Sequence, residues 1–130
     1  MLFRSEQAAR AVDSLPLVRV EQRTLPEQWP LGERFDLIML SEIGYYFDAS
    51  DLSTLLDLAV TSLAPAGALL ACHWRHPVAD YPLPGDVVHE AIAGRLELAR
   101  SVRHEEADFL LEVFTVGAQP SVAQREGLVP

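Results

Sequence analysis

The strongest pattern in the chain is an unbroken apolar run, Leu37 to Leu40, inside FDLIMLSE (residues 35–42). A half-solvated strand alternates apolar and polar residues, so a continuous run predicts a strand buried on both faces. In the following DASDLSTLLDLAVTSLAPAG the period changes. Leu52, Leu55, Leu56, Ala59, Val60 and Leu63 recur at the spacing of one helical face. Asp48 or Ser50 can cap that helix, and Pro65 with Gly67 ends it. ALLACHW (68–74) returns to a continuous run. Strand, helix, strand at this spacing is a βαβ unit with a parallel pair and a right-handed crossover.

Upstream, Ser5 to Leu15 reads as a short helix capped by Ser5 and stopped by Pro16, and Leu17 to Glu21 as a short strand before the loop QRTLPEQWPLGE. Downstream, GDVVHEAIAG predicts a helix with Val87, Val88, Ala91 and Ile92 on one face, Asp86 as cap and Gly94 as stop. RLELARSV and DFLLEVFTV form two strands of a hairpin joined through RHEEA. This order describes an open α/β sheet, mostly parallel, with an antiparallel hairpin at its C-terminal end. One domain, residues 1–116, is followed by a tail, 117–130. Ligands in such sheets bind beyond the carboxyl ends of the parallel strands. SEIGYYF and HWRHPVADYPLPGD lie there, so one pocket can be walled by both.

Composition narrows the partners. At 130 residues, 49% of them hydrophobic, the chain is long enough to bury a core. All ten basic residues are arginine, and nineteen acids leave a net charge of −9. That balance argues against nucleic acid or an anionic membrane, which need clustered positive charge. Cys72 is the single cysteine, so no internal disulfide forms; it suits core packing and a reducing compartment. No apolar run reaches the roughly 20 residues of a bilayer span, and a cytoplasmic protein is expected.

HWRHPVADYPLPGDVVH (73–89) holds three of the four histidines, one of the two tryptophans and three of the nine prolines, more chemistry than a simple connection requires. It has the make-up of a recognition loop. Together with FDLIMLSEIGYY, the helix ending LAPAGALL and the closing HEEADFLLEVF, it resembles the C-terminal part of class I S-adenosylmethionine-dependent methyltransferases. Within that family it is most similar to the nodulation-protein-S-like group. The similarity runs from about Ser5 to the tail and implies a partial Rossmann-like methyltransferase sheet. Two departures stand out. Ala66 then Gly67 occupy a turn where the family has two glycines. Among the seven glycines there is no GxG, so the glycine-rich loop that holds the methionine part of the cofactor is missing from this sequence. The cofactor implied is S-adenosyl-L-methionine, with an incomplete site.

The resemblance places Glu42 facing the reacting methyl, as the carboxylate that holds a cationic acceptor and takes its proton; a loop acid or helix cap is the plainer alternative. Ser41 could hydrogen-bond the cofactor or merely pack at the strand end. Thr24 and Leu25 occupy the loop that contacts adenine in the family. Tyr45 and Tyr46 could wall the acceptor pocket or belong to the core. His73 and Trp74 point to opposite sides by alternation. Arg75 offers a planar donor fork to a carboxylate or sugar hydroxyls, or pairs on the surface with Asp80 or Asp86. Asp80, Tyr81, Asp86 and His89 complete the recognition loop by resemblance. No metal is expected, since His73 and His76 have no further ligand at a suitable spacing. His104, Glu105 and Glu106 read as a solvated turn.

The function implied is methyl transfer from S-adenosylmethionine to a small-molecule acceptor, in this group an amine of an amino sugar or oligosaccharide. A non-catalytic binding module that keeps only the acceptor pocket is the alternative from another class. The family sheet inserts two strands between Leu17–Glu21 and Phe35–Leu40, so without them two apolar strand edges stand unpaired. The isolated chain is therefore expected to aggregate at micromolar concentration; a monodisperse, cooperatively unfolding monomer in the ultracentrifuge would contradict this.

Overall fold

The structure is a computed structural model and describes residues 2–130, with side chains from residue 6 onward. Helix α1 (Leu2–Ala11) ends four residues before the expected Leu15. Ser5 falls inside it, and the capping role assigned to its side chain lies outside the described residues. Four strands follow: β1 (Phe35–Ser41), β2 (Leu63–Trp74), β3 (Leu98–Glu105) and β4 (Phe109–Val116). They lie in the order β1-β2-β4-β3. Only β1 and β2 are parallel; β4 runs antiparallel to both β2 and β3. The sheet is mixed rather than mostly parallel, because the hairpin contributes two antiparallel pairings and the expected strand at Leu17–Glu21 does not form. Leu17 is 99% exposed there: an apolar run with no strand beside it cannot satisfy its backbone groups as β structure.

Helices α2 (Ala49–Thr61) and α3 (Gly85–Ala93) cover one face of the sheet. Leu52, Leu55, Leu56 and Ala59 of α2, with Val88 and Ile92 of α3, pack on Ile38, Leu40, Leu69, Ala71 and Phe114. Asp48 caps α2, its carboxylate accepting from the Asp51 amide at 2.8 Å. Helix α3 has no such cap: it opens at Gly85, so Pro84 occupies the position and Asp86, expected to fill it, lies inside the first turn, where it pairs with Arg75. The opposite face is only partly covered. Leu37 and Met39 are 52% and 58% exposed, so β1 buries one face rather than the two its composition suggested. The tail is not all irregular, since Val122–Arg125 forms a one-turn helix, α4, closed by a reciprocal Ser121–Gln124 capping box.

The hairpin strands reach further than expected, through Arg103–Glu105, leaving a tighter turn at 106–108. A buried acid explains the extension, because Glu112 on β4 binds Arg100 and Arg103 across the pair. At the other end of the sheet Ala66 adopts a φ of 63°, the left-handed region that disfavours any side chain. Gly67 beside it cannot be replaced, since a Cβ would stand 2.8 Å from the Ala64 carbonyl oxygen and 3.0 Å from that of Phe35. Ala66→Gly should thus stabilise the fold by about 0.5 to 1 kcal/mol, strain relief exceeding the added freedom of the unfolded chain. Urea unfolding checks this through a raised midpoint at unchanged slope.

Candidate active site

The carboxyl ends of β1 and β2 converge as expected, and β1 finishes in an unusual conformation. Glu42 has a φ of 55°, held by a 2.9 Å hydrogen bond from its amide to the Cys72 carbonyl on β2. Non-glycine residues in this region cost of order 1–3 kcal/mol and cluster at functional sites. The kink turns the Glu42 carboxylate onto the next element, a 3-10 turn (Gly44–Tyr46), where the Tyr45 hydroxyl donates to Oε2. Burial, reinforced by that carboxylate, pushes the Tyr45 phenol well above its usual value, so it remains a donor.

Tyr45 is also stacked on Tyr81, their centroids 4.5 Å apart and their planes 6° from parallel. Tyr46 meets both rings edge-on, at 5.2 and 4.7 Å, and its hydroxyl lies 3.1 Å from that of Tyr81. Three of the predicted aromatics thus form one cluster, joined to Glu42 through the Tyr45 hydroxyl and linking the turn after β1 to the loop after β2. Tyr45 is buried and Tyr46 43% exposed, so the cluster is rooted in the core and opens to solvent.

The remaining loop residues divide. His73 and Trp74 do point apart: His73 is fully buried, whereas Trp74 is 43% exposed. His73 accepts from the Gly44 amide at Nε2 (3.0 Å), packs against Tyr45, and through Nδ1 meets His89 Nε2 at 2.9 Å. His89 Nδ1 in turn meets Glu112 Oε1 at 2.7 Å. Both rings lie behind the tyrosine cluster rather than at its surface. Arg75 grips both oxygens of Asp86, at 2.9 and 2.8 Å, and adds Glu105 and the Glu106 carbonyl. This clamp fastens the loop and α3 to the hairpin turn, drawing Glu105 and Glu106 into structure. Asp80 stands exposed at the loop tip.

On the other side of β1, Leu25, Trp29, Phe35, Leu37, Ile38 and Ile43 line an open, largely apolar cleft of about 450 Å³ with Glu21 and Arg23 at its rim. The Trp29 indole N–H donates to Ser62 Oγ at 2.9 Å and ties this loop to the end of α2. Of the three residues assigned to the cofactor, Leu25 lies in the cleft, Ser41 stands exposed where β1 ends, and the Thr24 amide is occupied by Gln28 Oε1 at 2.6 Å. An apolar slot beside a strand end suits a planar base.

Glu112, Arg100 and Arg103 were not singled out from the sequence. The signal was available: in FLLEVFTV an acid stands where alternation places it beside Leu110 and Phe114, on the buried face.

A parallel β1–β2 pair crossed by α2, with an antiparallel β4 beside β2 and the 42–46 turn at the strand ends, is part of a known arrangement. The chain belongs to the family of class I S-adenosylmethionine-dependent methyltransferases. It is 43% identical to a protein from Pseudomonas syringae described as a methyltransferase, over 88% of this chain and 67% of that one, with a TM-score of 0.74. The N-methyltransferase NodS from Bradyrhizobium japonicum WM9, solved with S-adenosyl-L-homocysteine, matches over 87% of this chain and 61% of its own, at 22% identity and a TM-score of 0.73. An S-adenosylmethionine-dependent methyltransferase from Clostridium acetobutylicum shares the fold at 10% identity and a TM-score of 0.66, over 87% of this chain and 71% of its own. The chain spans roughly two thirds of the length of these proteins. No family profile and no curated protein matches it by sequence. Among the described residues no helix is long and apolar enough to cross a membrane.

Burial, with His89 alongside, pushes His73 down to about 3 from 6.5; burial also lowers His89, against the pull of Glu112. Between those values the unfolded chain binds more protons than the folded one. The stability held above pH 6.5 is therefore lost on acidification, by up to about 1.4 kcal/mol per pH unit for one such ring. Urea midpoints measured from pH 7 to 4.5 should fall steeply, and His73→Gln should flatten that slope by about one proton. Parallel slopes for the two proteins would contradict it.

Proposed function

We propose that this chain carries the acceptor side of an N-methyltransferase whose acceptor is the amine of an amino sugar or a similar small cation. The observation that carries this reading is Glu42, turned by a left-handed backbone into a cluster of three tyrosines. A carboxylate tied by a phenolic hydroxyl to an aromatic cluster suits an ammonium on an otherwise polar molecule. NodS, an N-methyltransferase, shares the fold, which supports placing the chain in the nodulation-protein-S-like group and its acceptor in oligosaccharide synthesis.

When bound, S-adenosylmethionine supplies an electrophilic methyl on a sulfonium. The apolar cleft at Leu25 and Ile43 fits its base, and Ser41 stands exposed at the end of β1; these residues, with Thr24, are the proposed cofactor contacts. The chain's own task is to bring the amine forward unprotonated, because an ammonium has no lone pair to donate. Glu42 Oε2 is held by Tyr45, which leaves Oε1 to receive the incoming ammonium and accept its proton. Tyr46, Tyr81 and Asp80 frame the sugar. His73, Arg75, Asp86 and His89 support this surface from behind, through the contacts described above, rather than touching the acceptor.

Calorimetry with D-glucosamine and with glucose separates an amine site from a general sugar site. D-glucosamine should bind and glucose should not, and Glu42→Gln should weaken the former by ten- to a hundredfold, the worth of about one charge-assisted hydrogen bond. Equal binding of the two sugars, or an unaffected Glu42→Gln protein, would refute the amine assignment.

A further inference from the structure

The buried chain from Gly44 to Glu112 has a direction. A backbone N–H can only donate, so the Gly44 amide fixes His73 Nε2 as a bare acceptor. Burial keeps the ring neutral, and a neutral imidazole has one N–H, which must then be at Nδ1. It faces His89 Nε2 at 2.9 Å, so His89 accepts there and carries its own proton at Nδ1. That proton points to Glu112 Oε1 at 2.7 Å. The other carboxylate oxygen accepts from Arg100 at 2.8 Å and Arg103 at 3.0 Å. Each tautomer is dictated by its neighbour, from an arginine-locked carboxylate on β4 to the turn that carries Tyr45.

The turn end of this chain is built for close approach. A Cβ on Gly44 would collide with Val88 of α3 and lie 3.0 Å from His73 Nε2. The Gly44 amide is therefore pressed onto the imidazole, and the Tyr45 ring stands edge-on to it with centroids 5.3 Å apart. We infer that Glu112, acting through the tautomers of His89 and His73, positions the 44–46 turn and with it the Tyr45–Glu42 pair. Calling that turn an acceptor site rests on the function proposed above; the positioning itself does not.

Glu112→Gln exposes the mechanism because it keeps size and shape but offers one acceptor oxygen. The arginines can only donate and so claim that oxygen, which turns the amide NH2 toward His89. His89 must then accept at Nδ1 and carry its proton at Nε2, and His73 must accept at Nδ1 and carry its proton at Nε2. That proton meets the Gly44 N–H head-on, donor against donor, and the turn loses its anchor.

Long-range 1H–15N spectra of the labelled chain read the protonation of each ring nitrogen. In the wild type both rings should be protonated at Nδ1 and bare at Nε2. In Glu112→Gln both should swap, Gly44 amide exchange should accelerate, and D-glucosamine binding should weaken, each by about tenfold, with unchanged circular dichroism. Glu112→Asp, which keeps a carboxylate, should keep the wild-type tautomers. A protonated His73 Nε2 in the wild type would overturn the inference outright, even if Glu112→Gln fails to fold. So would a Glu112→Gln protein with unswapped rings, or one with swapped rings and an unchanged Gly44 amide. If the wild type binds no D-glucosamine, the amine assignment falls, while the tautomers and Gly44 exchange still decide the positioning role.

Discussion

A carboxylate removed from water must be given donors on every side, and Glu112 imposes that demand on the middle of this sheet. Arg100 and Arg103 meet it from β3, which keeps the hairpin paired well beyond its apolar residues. His89 meets it from α3, which fixes that helix against the sheet, and His73 extends the same bonding to β2 and the turn after β1. Stripping one member from a buried pair of this kind typically costs about 3–5 kcal/mol. An apolar residue at position 112 could fill the space but could orient nothing.

The architecture gives the proposed chemistry a firm side and a soft side. Tyr45 is stacked, hydrogen-bonded and backed by a buried imidazole, and the Arg75 clamp ties the facing loop to the hairpin turn. Preorganised groups of this sort need little rearrangement when a charge arrives. The apolar cleft, in contrast, is open, with Leu37 of β1 exposed on its wall.

Periodicity made the central elements legible. The stripe from Leu52 to Val60 marks α2, but the helix stops at Thr61, and Leu63, Pro65 and Gly67, expected at its end, already belong to β2. The apolar runs at 37–40 and 68–74 locate the parallel pair. Where apolar content misled, the missing information was tertiary: Leu17–Glu21 has strand composition but no strand beside it, and β1 is apolar on both faces but covered on one. The site residues 42, 45, 46 and 81 converge because strand ends converge. The direction in which His73 and His89 face could not be read locally, since it depends on Glu112, a partner 23 residues further along than His89. Asp86 shows the same limit: the helix opens one residue before it, and its carboxylate pairs with Arg75 of the preceding loop.

Among the described residues β1 is the edge of the sheet, with no strand paired on its outer side. A ligand settling in the cleft beside that strand covers an exposed apolar wall, whereas one reaching the tyrosines meets rings already fixed by stacking and hydrogen bonds. The two halves of the site should accordingly bind with different heats: a large negative heat-capacity change where apolar wall is buried on the cleft side, and an enthalpy-led fit on the acceptor side.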